Sequence, residues 1–128
     1  MVSKESFKHY KIGYEPVDNE HWAIISLMND AIVSLKLGQY DTAVPIVHSI
    51  EELLHTHFVT EEQLMIKVNF PYTAAHCDEH RRIILELKKV LEFLDKRVLQ
   101  DHIVDHLEST LMDHIDHYDT QISNFLHK

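Results

Sequence analysis

The sequence predicts an all-α protein: an antiparallel up-down four-helix bundle with an N-terminal extended arm. Only 2 Gly and 3 Pro occur among the 128 residues, so long helices would meet few breaks. Apolar side chains recur at steps of three and four residues in four successive stretches, the period of amphipathic helices. The connections between these stretches are short, which makes neighbouring helices antiparallel. We expect one domain over residues 1–128, with the arm at 1–17 and the bundle at 18–128.

The arm and the first helix occupy the beginning of the chain. The arm contains Gly13 and Pro16 and shows no sustained period. The first helix is expected to begin at Asp18 or Asn19, because both residue types are common N-caps. It should end near Gly38, since glycine is the usual residue just beyond a helix.

The second and third helices meet near Pro71. Asp41 is a plausible cap for the second helix, which tolerates Pro45 only because that residue lies near its start. This helix should stop around Asn69, and the third should begin near Pro71 or Tyr72. Both helices have one apolar face, as a bundle requires.

The fourth helix follows a turn near residues 97–101. Its apolar stripe consists of Ile103, Leu107, Leu111, His114, Ile115, Tyr118, Ile122 and Phe125. Asp119 lies at the edge of that stripe when the α-helical period is applied throughout.

The charge balance excludes some classes of partner. The chain has 12 basic and 21 acidic residues and a formal net charge of -9, which argues against nucleic acid or an anionic membrane as the main partner. Cys77, the single cysteine, cannot form an internal disulfide. No N-terminal segment combines a basic flank with an apolar stretch, so a cytoplasmic location is expected.

Twelve histidines are present, and helical phase separates those that face the core from those that do not. Two HxxxE pairs, His48 with Glu52 and His57 with Glu61, lie nine residues apart. At about 100° per residue this step is roughly half a turn beyond two full turns, so the pairs face opposite ways. Only the second pair shares its face with apolar residues, namely Leu53, Leu54, Leu64 and Met65. The inward pair is therefore His57 and Glu61.

The same reasoning applies to two HxxxH pairs. His76 and His80 continue the apolar stripe that includes Ile83, so they should point into the bundle. His102 and His106 are rotated off the stripe of the fourth helix by roughly a quarter to a third of a turn. We expect that pair at the surface.

Seven polar residues are thereby predicted to share one apolar core. They are His21, His57, Glu61, His76, His80, His114 and Asp119. Buried imidazoles without partners would each cost on the order of 1 to 3 kcal/mol, and buried carboxylates would carry large desolvation penalties. Metal ions remove both costs, and five imidazoles with two carboxylates suit two iron ions. No further catalytic or cofactor-binding residues are predicted.

Four strings carry a resemblance to a known family: GYEPVDNEH at 13–21, HFVTEE at 57–62, HCDEH at 76–80 and HIDHYD at 114–119. In this order and at these separations they resemble the hemerythrin family, specifically its bacterial forms, over nearly the whole chain. The resemblance implies two non-haem iron ions joined by an oxo or hydroxo bridge. It also implies which residues hold them: one ion on His76, His80 and His114, the other on His21 and His57, with Glu61 and Asp119 bridging.

The function that this resemblance implies is reversible binding of molecular oxygen, for carriage, storage, delivery or sensing, rather than enzymatic catalysis. Two alternatives stay open. One is an oxygen or redox sensor domain cut from a larger signalling protein, with a partner protein or attached signalling domain, and the other is a diiron oxidase or peroxidase. Histidines outnumber carboxylates five to two, whereas oxygen-activating diiron enzymes use mostly carboxylates. A metal-free helical bundle is a third possibility.

One position departs from the family pattern. Bacterial members usually carry a tryptophan four residues before the last histidine, and this sequence has Thr110 there. We expect a pocket that is more open to water. Its apolar walls are predicted to be Ile24, Ile25, Met28, Phe58, Leu111 and Ile115.

Overall fold

A computed structural model describes residues 1–127, and within that range all regular secondary structure is helical. The elements are α1 (Lys4–Phe7), a 3-10 turn (Lys8–Tyr10), α2 (Glu15–Lys36), α3 (Tyr40–Lys67), α4 (Thr73–Asp95), α5 (Asp101–His114), a π-helical segment (Ile115–Asp119) and α6 (Thr120–Leu126). The predicted all-α class is confirmed.

Each of the four long helices packs against two others. Helix α2 contacts α3 and α5, and α4 contacts the same two helices, so the four form a closed ring of neighbours. Their apolar faces meet in a core that runs along the inside of this ring. A smaller apolar cluster includes Met65, near the C-terminal end of α3, and Ile122 of α6. Among the described residues, no helix combines the length and apolar content needed to cross a bilayer.

At the C-terminal ends of three helices, a residue adopts the left-handed backbone conformation, which terminates the helix. Gly38 has φ 70°, Asn69 has φ 55° and Arg97 has φ 59°. A backbone hydrogen bond closes each end, as between the N–H of Gln39 and the carbonyl of Ser34 at 2.8 Å. This is the Schellman arrangement, which satisfies carbonyls that the helix leaves free. The predicted ends near Gly38 and Asn69 and the turn near Arg97 are confirmed.

The N-terminal segment is not the extended arm that the sequence predicts. Helix α1 is a single turn, capped by the hydroxyl oxygen of Ser3, which accepts from the N–H of Ser6 at 3.1 Å. Such a short element shows no apolar period, and its cap was the only sequence signal for it. The segment packs on the bundle through Phe7, whose ring centroid lies 5.2 Å from that of Trp22.

Helix α2 also begins earlier than predicted, at Glu15 instead of Asp18 or Asn19. Pro16 is accommodated in the first turn, where its missing N–H donor would have no helical acceptor. Asp18, the expected cap, is buried, and its carboxylate accepts from the N–H groups of Ile12 at 2.7 Å and Gly13 at 3.1 Å. These two hydrogen bonds thus hold the segment before α2 against the first turn of that helix.

Candidate metal centre

The seven residues predicted to face the core lie together in its middle, and none is more than 2% exposed. They form two overlapping groups, and within each group one potential ligand atom per residue lies within 4.8 Å of the others. The first group is Glu61, His76, His80, His114 and Asp119. The second group is His21, His57, Glu61 and Asp119. The two carboxylates belong to both groups.

All four long helices contribute to this cluster. Helix α2 supplies one imidazole, that of His21. Helices α3 and α4 each supply two side chains separated by one helical turn, which places both on one face: His57 with Glu61, and His76 with His80. The last two residues, His114 and Asp119, come from the end of α5 and the π-helical segment that follows it.

The π-helical segment determines where Asp119 points. In a regular α-helix a step of five residues turns about 500°, which would leave Asp119 roughly 140° away from His114. The wider π turn removes most of this difference, so Asp119 Oδ1 lies 3.1 Å from His114 Nε2 and the aspartate is fully buried. A regular α-helical period places Asp119 only at the edge of the apolar stripe, as predicted from the sequence, because that period does not include the π turn. The HxxxxD spacing was the available signal.

The oxygens of Glu61 are divided between the two halves of the cluster. Oε1 lies 2.6 Å from His76 Nε2 and 2.9 Å from His80 Nε2. Oε2 faces the other way and lies 3.0 Å from His57 Nε2 and 3.6 Å from His21 Nε2. One carboxylate therefore presents one oxygen to each group of imidazoles.

Asp119 repeats this division. Its Oδ1 lies 2.9 Å from His76 Nε2 and 3.1 Å from His114 Nε2, whereas its Oδ2 lies 3.0 Å from His21 Nε2. Two carboxylates that each face both groups are arranged as bridging ligands between two cations.

Many of these close contacts lack hydrogen-bonding geometry, and this tests whether metal ions fit. Among the atoms that make these contacts, six are buried and have no hydrogen bond: His21 Nε2, His57 Nε2, His114 Nε2, Glu61 Oε2 and both oxygens of Asp119. Each of these nitrogens lies near a carboxylate oxygen, and each of these oxygens lies near an imidazole nitrogen. Their lone pairs are directed into the same space between the side chains and not along N–H···O hydrogen bonds. Imidazole and carboxylate are suitable donors for first-row transition metals. The donor set and its orphaned atoms fit two cations.

Two carboxylates outside the cluster each contact one of its imidazoles, and neither was predicted from the sequence. Glu20 Oε1 lies 2.9 Å from His57 Nδ1, and Glu20 Oε2 accepts from the hydroxyl of Thr60 at 3.2 Å. Glu62 Oε2 lies 2.8 Å from His80 Nδ1. An imidazole that donates through Nδ1–H keeps its Nε2 lone pair directed inward, as a metal ligand requires. Glu20 and Glu62 stand beside predicted cluster residues in the sequence, which was the only hint.

The same contacts set the protonation of the metal-free cluster. Burial lowers the pKa of His57, but Glu20 and Glu61 outweigh it and raise the pKa to about 10. Burial also lowers the pKa of His114, yet Asp119 and Glu61 raise it to about 9. Burial raises the pKa of Glu61, but the imidazoles around it hold that pKa well below the ordinary value. Protons on the imidazoles thus compensate the negative charge of the buried carboxylates.

Buried apolar side chains share the core with the cluster. The predicted walls Ile24, Ile25, Met28, Phe58, Leu111 and Ile115 are all buried. The ring of Phe58 stacks on that of His80, with centroids 4.0 Å apart and planes at 11°. Thr110, four residues before His114, is also buried. Burial limits the access of water to the clustered imidazoles and carboxylates.

The remaining histidines lie outside the core. His9, His48, His55, His102, His106, His117 and His127 are all exposed, as predicted. Glu52, the partner of His48 in the rejected HxxxE pair, is exposed too. Cys77 is half-buried and is not among the clustered residues.

A helical bundle with a buried cluster of imidazoles and carboxylates defines a class of metal-binding protein. The chain belongs to the hemerythrin family, because the sequence model described as the Hemerythrin HHE cation binding domain matches residues 12–126. Two relatives named Bacteriohemerythrin are similar to it. The protein from Stenotrophomonas maltophilia (strain R551-3) is 28% identical over 100 residues, which cover 78% of this chain and 63% of that protein.

The second relative comes from Clostridium acetobutylicum and is 22% identical over 114 residues, covering 83% of this chain and 88% of the relative. The chain therefore spans less than two thirds of the Stenotrophomonas protein and most of the Clostridium protein. No solved structure matches the chain.

Proposed function

We propose that the protein binds molecular oxygen reversibly at a non-haem diiron centre. The observation that carries the proposal is the division of the carboxylate oxygens, since Glu61 and Asp119 each direct one oxygen to each group of imidazoles. Membership of the hemerythrin family supports iron as the metal. When bound, two ferrous ions supply the two electrons that oxygen accepts and later returns.

The proposed ligands divide unequally between the two ions. One ion would take the imidazoles of His76, His80 and His114, and the other those of His21 and His57. Glu61 and Asp119 would bridge them. The second group has one imidazole fewer, so an ion there would keep a coordination position for oxygen. Glu20 would hold the imidazole of His57 in this half, Glu62 would hold that of His80 in the other half, and burial would keep water out.

The architecture behind this proposal is a single domain with an antiparallel up-down arrangement of α2, α3, α4 and α5. Two observations support it. The four helices contact one another in a ring, and only residues 37–39, 68–72 and 96–100 connect them. Connections of this length join helices that run in opposite directions.

The decisive experiment cycles the protein between oxygen and its absence. Iron per chain is measured first, and two ions per chain are expected. The protein is then reduced anaerobically, exposed to oxygen and degassed, while the visible charge-transfer absorption is followed. Recovery of the spectrum over several cycles supports reversible binding. A single irreversible conversion would instead indicate a diiron oxidase or peroxidase.

Helix α3 provides a matched pair of variants for the same experiment. His57→Ala removes a clustered imidazole, and His48→Ala removes an exposed one from the other HxxxE pair. The proposal requires loss of iron and of the oxygen-dependent spectrum in the first variant only. Equal behaviour of the two variants would contradict the assigned ligands.

A further inference from the structure

The HxxxH pair on α5, His102 and His106, takes no part in the buried cluster. Together with Glu86 of α4, we propose that this pair forms a second, surface metal site. The chemical class of its ligand is a divalent cation of borderline softness, with Zn²⁺ as the representative ion. The proposed oxygen binding does not require this site, so each proposal can be tested independently of the other.

The pair has the spacing of a helical chelate. His102 and His106 are four residues apart on α5, which places both imidazoles on the same face one turn apart. Both are exposed, so their rings are free to turn toward a shared ion. Helix-borne histidines at this spacing are the pattern that zinc enzymes use for two of their ligands.

The neighbouring helix supplies the third donor. Glu86 Oε2 lies 4.0 Å from His106 Nε2, across the cleft between α4 and α5. Zinc bonds of about 2.1 Å in a tetrahedral site separate neighbouring ligand atoms by about 3.4 Å. The observed distance is thus only a little longer than a tetrahedral edge. As the side chains stand, His102, His106 and Glu86 do not all lie within ligand distance of one another. The exposed imidazoles of His102 and His106 would therefore turn toward the half-buried Glu86 to bind a shared ion. Water would complete the fourth position.

The donor set favours zinc over iron. Two imidazoles and one carboxylate are the protein ligands of several zinc sites. For nitrogen and oxygen donors, Zn²⁺ and Cu²⁺ bind more tightly than Fe²⁺ in the Irving–Williams order. The site is also separate from the buried cluster, because His106 precedes His114 by eight residues, about 12 Å along the helix.

Charge around the cleft is mixed, with an acidic excess on the helix that carries the histidines. Lys89 lines the cleft and opposes a cation there. Asp101 and Asp105 flank the histidines on α5, and the protein as a whole has a net charge of -9. A bound cation therefore reduces the total electrostatic repulsion.

An ion at this site would tie α4 to α5. These two helices carry His80 and His114, which belong to the proposed diiron centre. A ligand that binds only the folded state stabilises it by mass action, so zinc should raise the melting temperature.

Zinc titration of the protein as purified tests the proposal. Iron content is measured beforehand, and calorimetry then follows the addition of Zn²⁺. One additional zinc per chain is expected, with no release of iron and with a rise in melting temperature. Anomalous scattering at the zinc edge should place the ion between His102, His106 and Glu86.

Three variants complete the test. His102→Ala/His106→Ala should abolish the additional site, and Glu86→Gln should weaken zinc binding by about tenfold or more. His48→Ala/His55→Ala is the matched control, because it also removes two exposed histidines but leaves the α5 pair intact. Undiminished zinc binding in the α5 double variant would overturn the site. Undiminished binding in Glu86→Gln, or zinc found in the buried cluster alone, would overturn the three-ligand proposal.

Discussion

His114 Nε2 lies 3.1 Å from Asp119 Oδ1, although Asp119 comes five positions after His114 along the chain. The π-helical segment Ile115–Asp119 makes this contact possible. Single π turns inside longer helices are frequently found at functional sites, where they redirect one side chain. Here the redirected group is a carboxylate that contacts both halves of the candidate metal centre.

Removal of that carboxylate should therefore affect both halves at once. Asp119→Ala is expected to lose most of its iron, because the remaining oxygens of Glu61 cannot neutralise two cations alone. Asp116→Ala is the control, since Asp116 lies in the same π segment but is exposed. Iron per chain, measured after desalting, should fall in the first variant and stay unchanged in the second. Two retained irons in Asp119→Ala would exclude a bridging role.

The outer carboxylates should control how firmly the imidazoles hold metal. Glu20→Ala removes the acceptor of His57 Nδ1, and Glu62→Ala removes the acceptor of His80 Nδ1. We expect each to weaken metal binding by about 10- to 100-fold, as found for such partners in other metal sites. The measurement is the rate of iron loss to a chelator. Glu52→Ala, which removes an exposed glutamate of the same helix as Glu62, should leave that rate unchanged.

The metal-free protein should lose stability as the pH rises. The pKa of His57 is raised from 6.5 to about 10 and that of His114 from 6.5 to about 9. Between pH 6.5 and these values the folded state keeps protons that the unfolded state has released, so unfolding becomes easier with increasing pH. The expected loss is on the order of a few kcal/mol.

Urea unfolding of metal-free protein at pH 6.5 and at pH 10 measures this effect. The metal-loaded protein provides the comparison, because cations replace the imidazole protons and should flatten the dependence. Equal unfolding free energies of the metal-free protein at the two pH values would show that its imidazoles are neutral in the folded state.

Thr110 should influence the lifetime of the oxygenated protein. It lies one turn before His114 on α5 and is buried, so a polar side chain occupies the core one turn away from this proposed ligand. Thr110→Trp is expected to slow the conversion of the oxygenated form to the oxidised form. Because a large ring can overpack this position, Thr110→Val, which changes only the hydroxyl, serves as a second variant. If both variants keep the original autoxidation rate, water access at this position does not limit that lifetime.

Helical phase predicted much of the cluster because burial follows a strict period in a helix. It placed His57 and Glu61 inside and His48 and Glu52 outside, and the structure agrees in all four cases. The prediction was less accurate where that period changes. Asp119 was assigned to an edge because nothing in a regular α-helix anticipates the π turn.

The hydrophobic periodicity of single helices could not predict side-chain contacts between neighbouring helices. Glu20 meets His57 across the interface of α2 and α3, and Glu62 meets His80 across that of α3 and α4. Such pairings depend on how far one helix slides along its neighbour, which a one-dimensional pattern does not encode. The short α1 was missed for a related reason, since one capped turn is too brief to establish a period.

Because Glu61 and Asp119 are shared between both groups of imidazoles, we expect metal loading of the proposed centre to be cooperative. A first ion would fix the two carboxylates and displace protons from the surrounding imidazoles, so a second ion would meet donors that are already oriented. Chains with one ion should be scarce at every iron concentration, and native mass spectrometry would show mainly empty and doubly loaded protein. Loss of either ion would, by the same coupling, hasten the departure of the other.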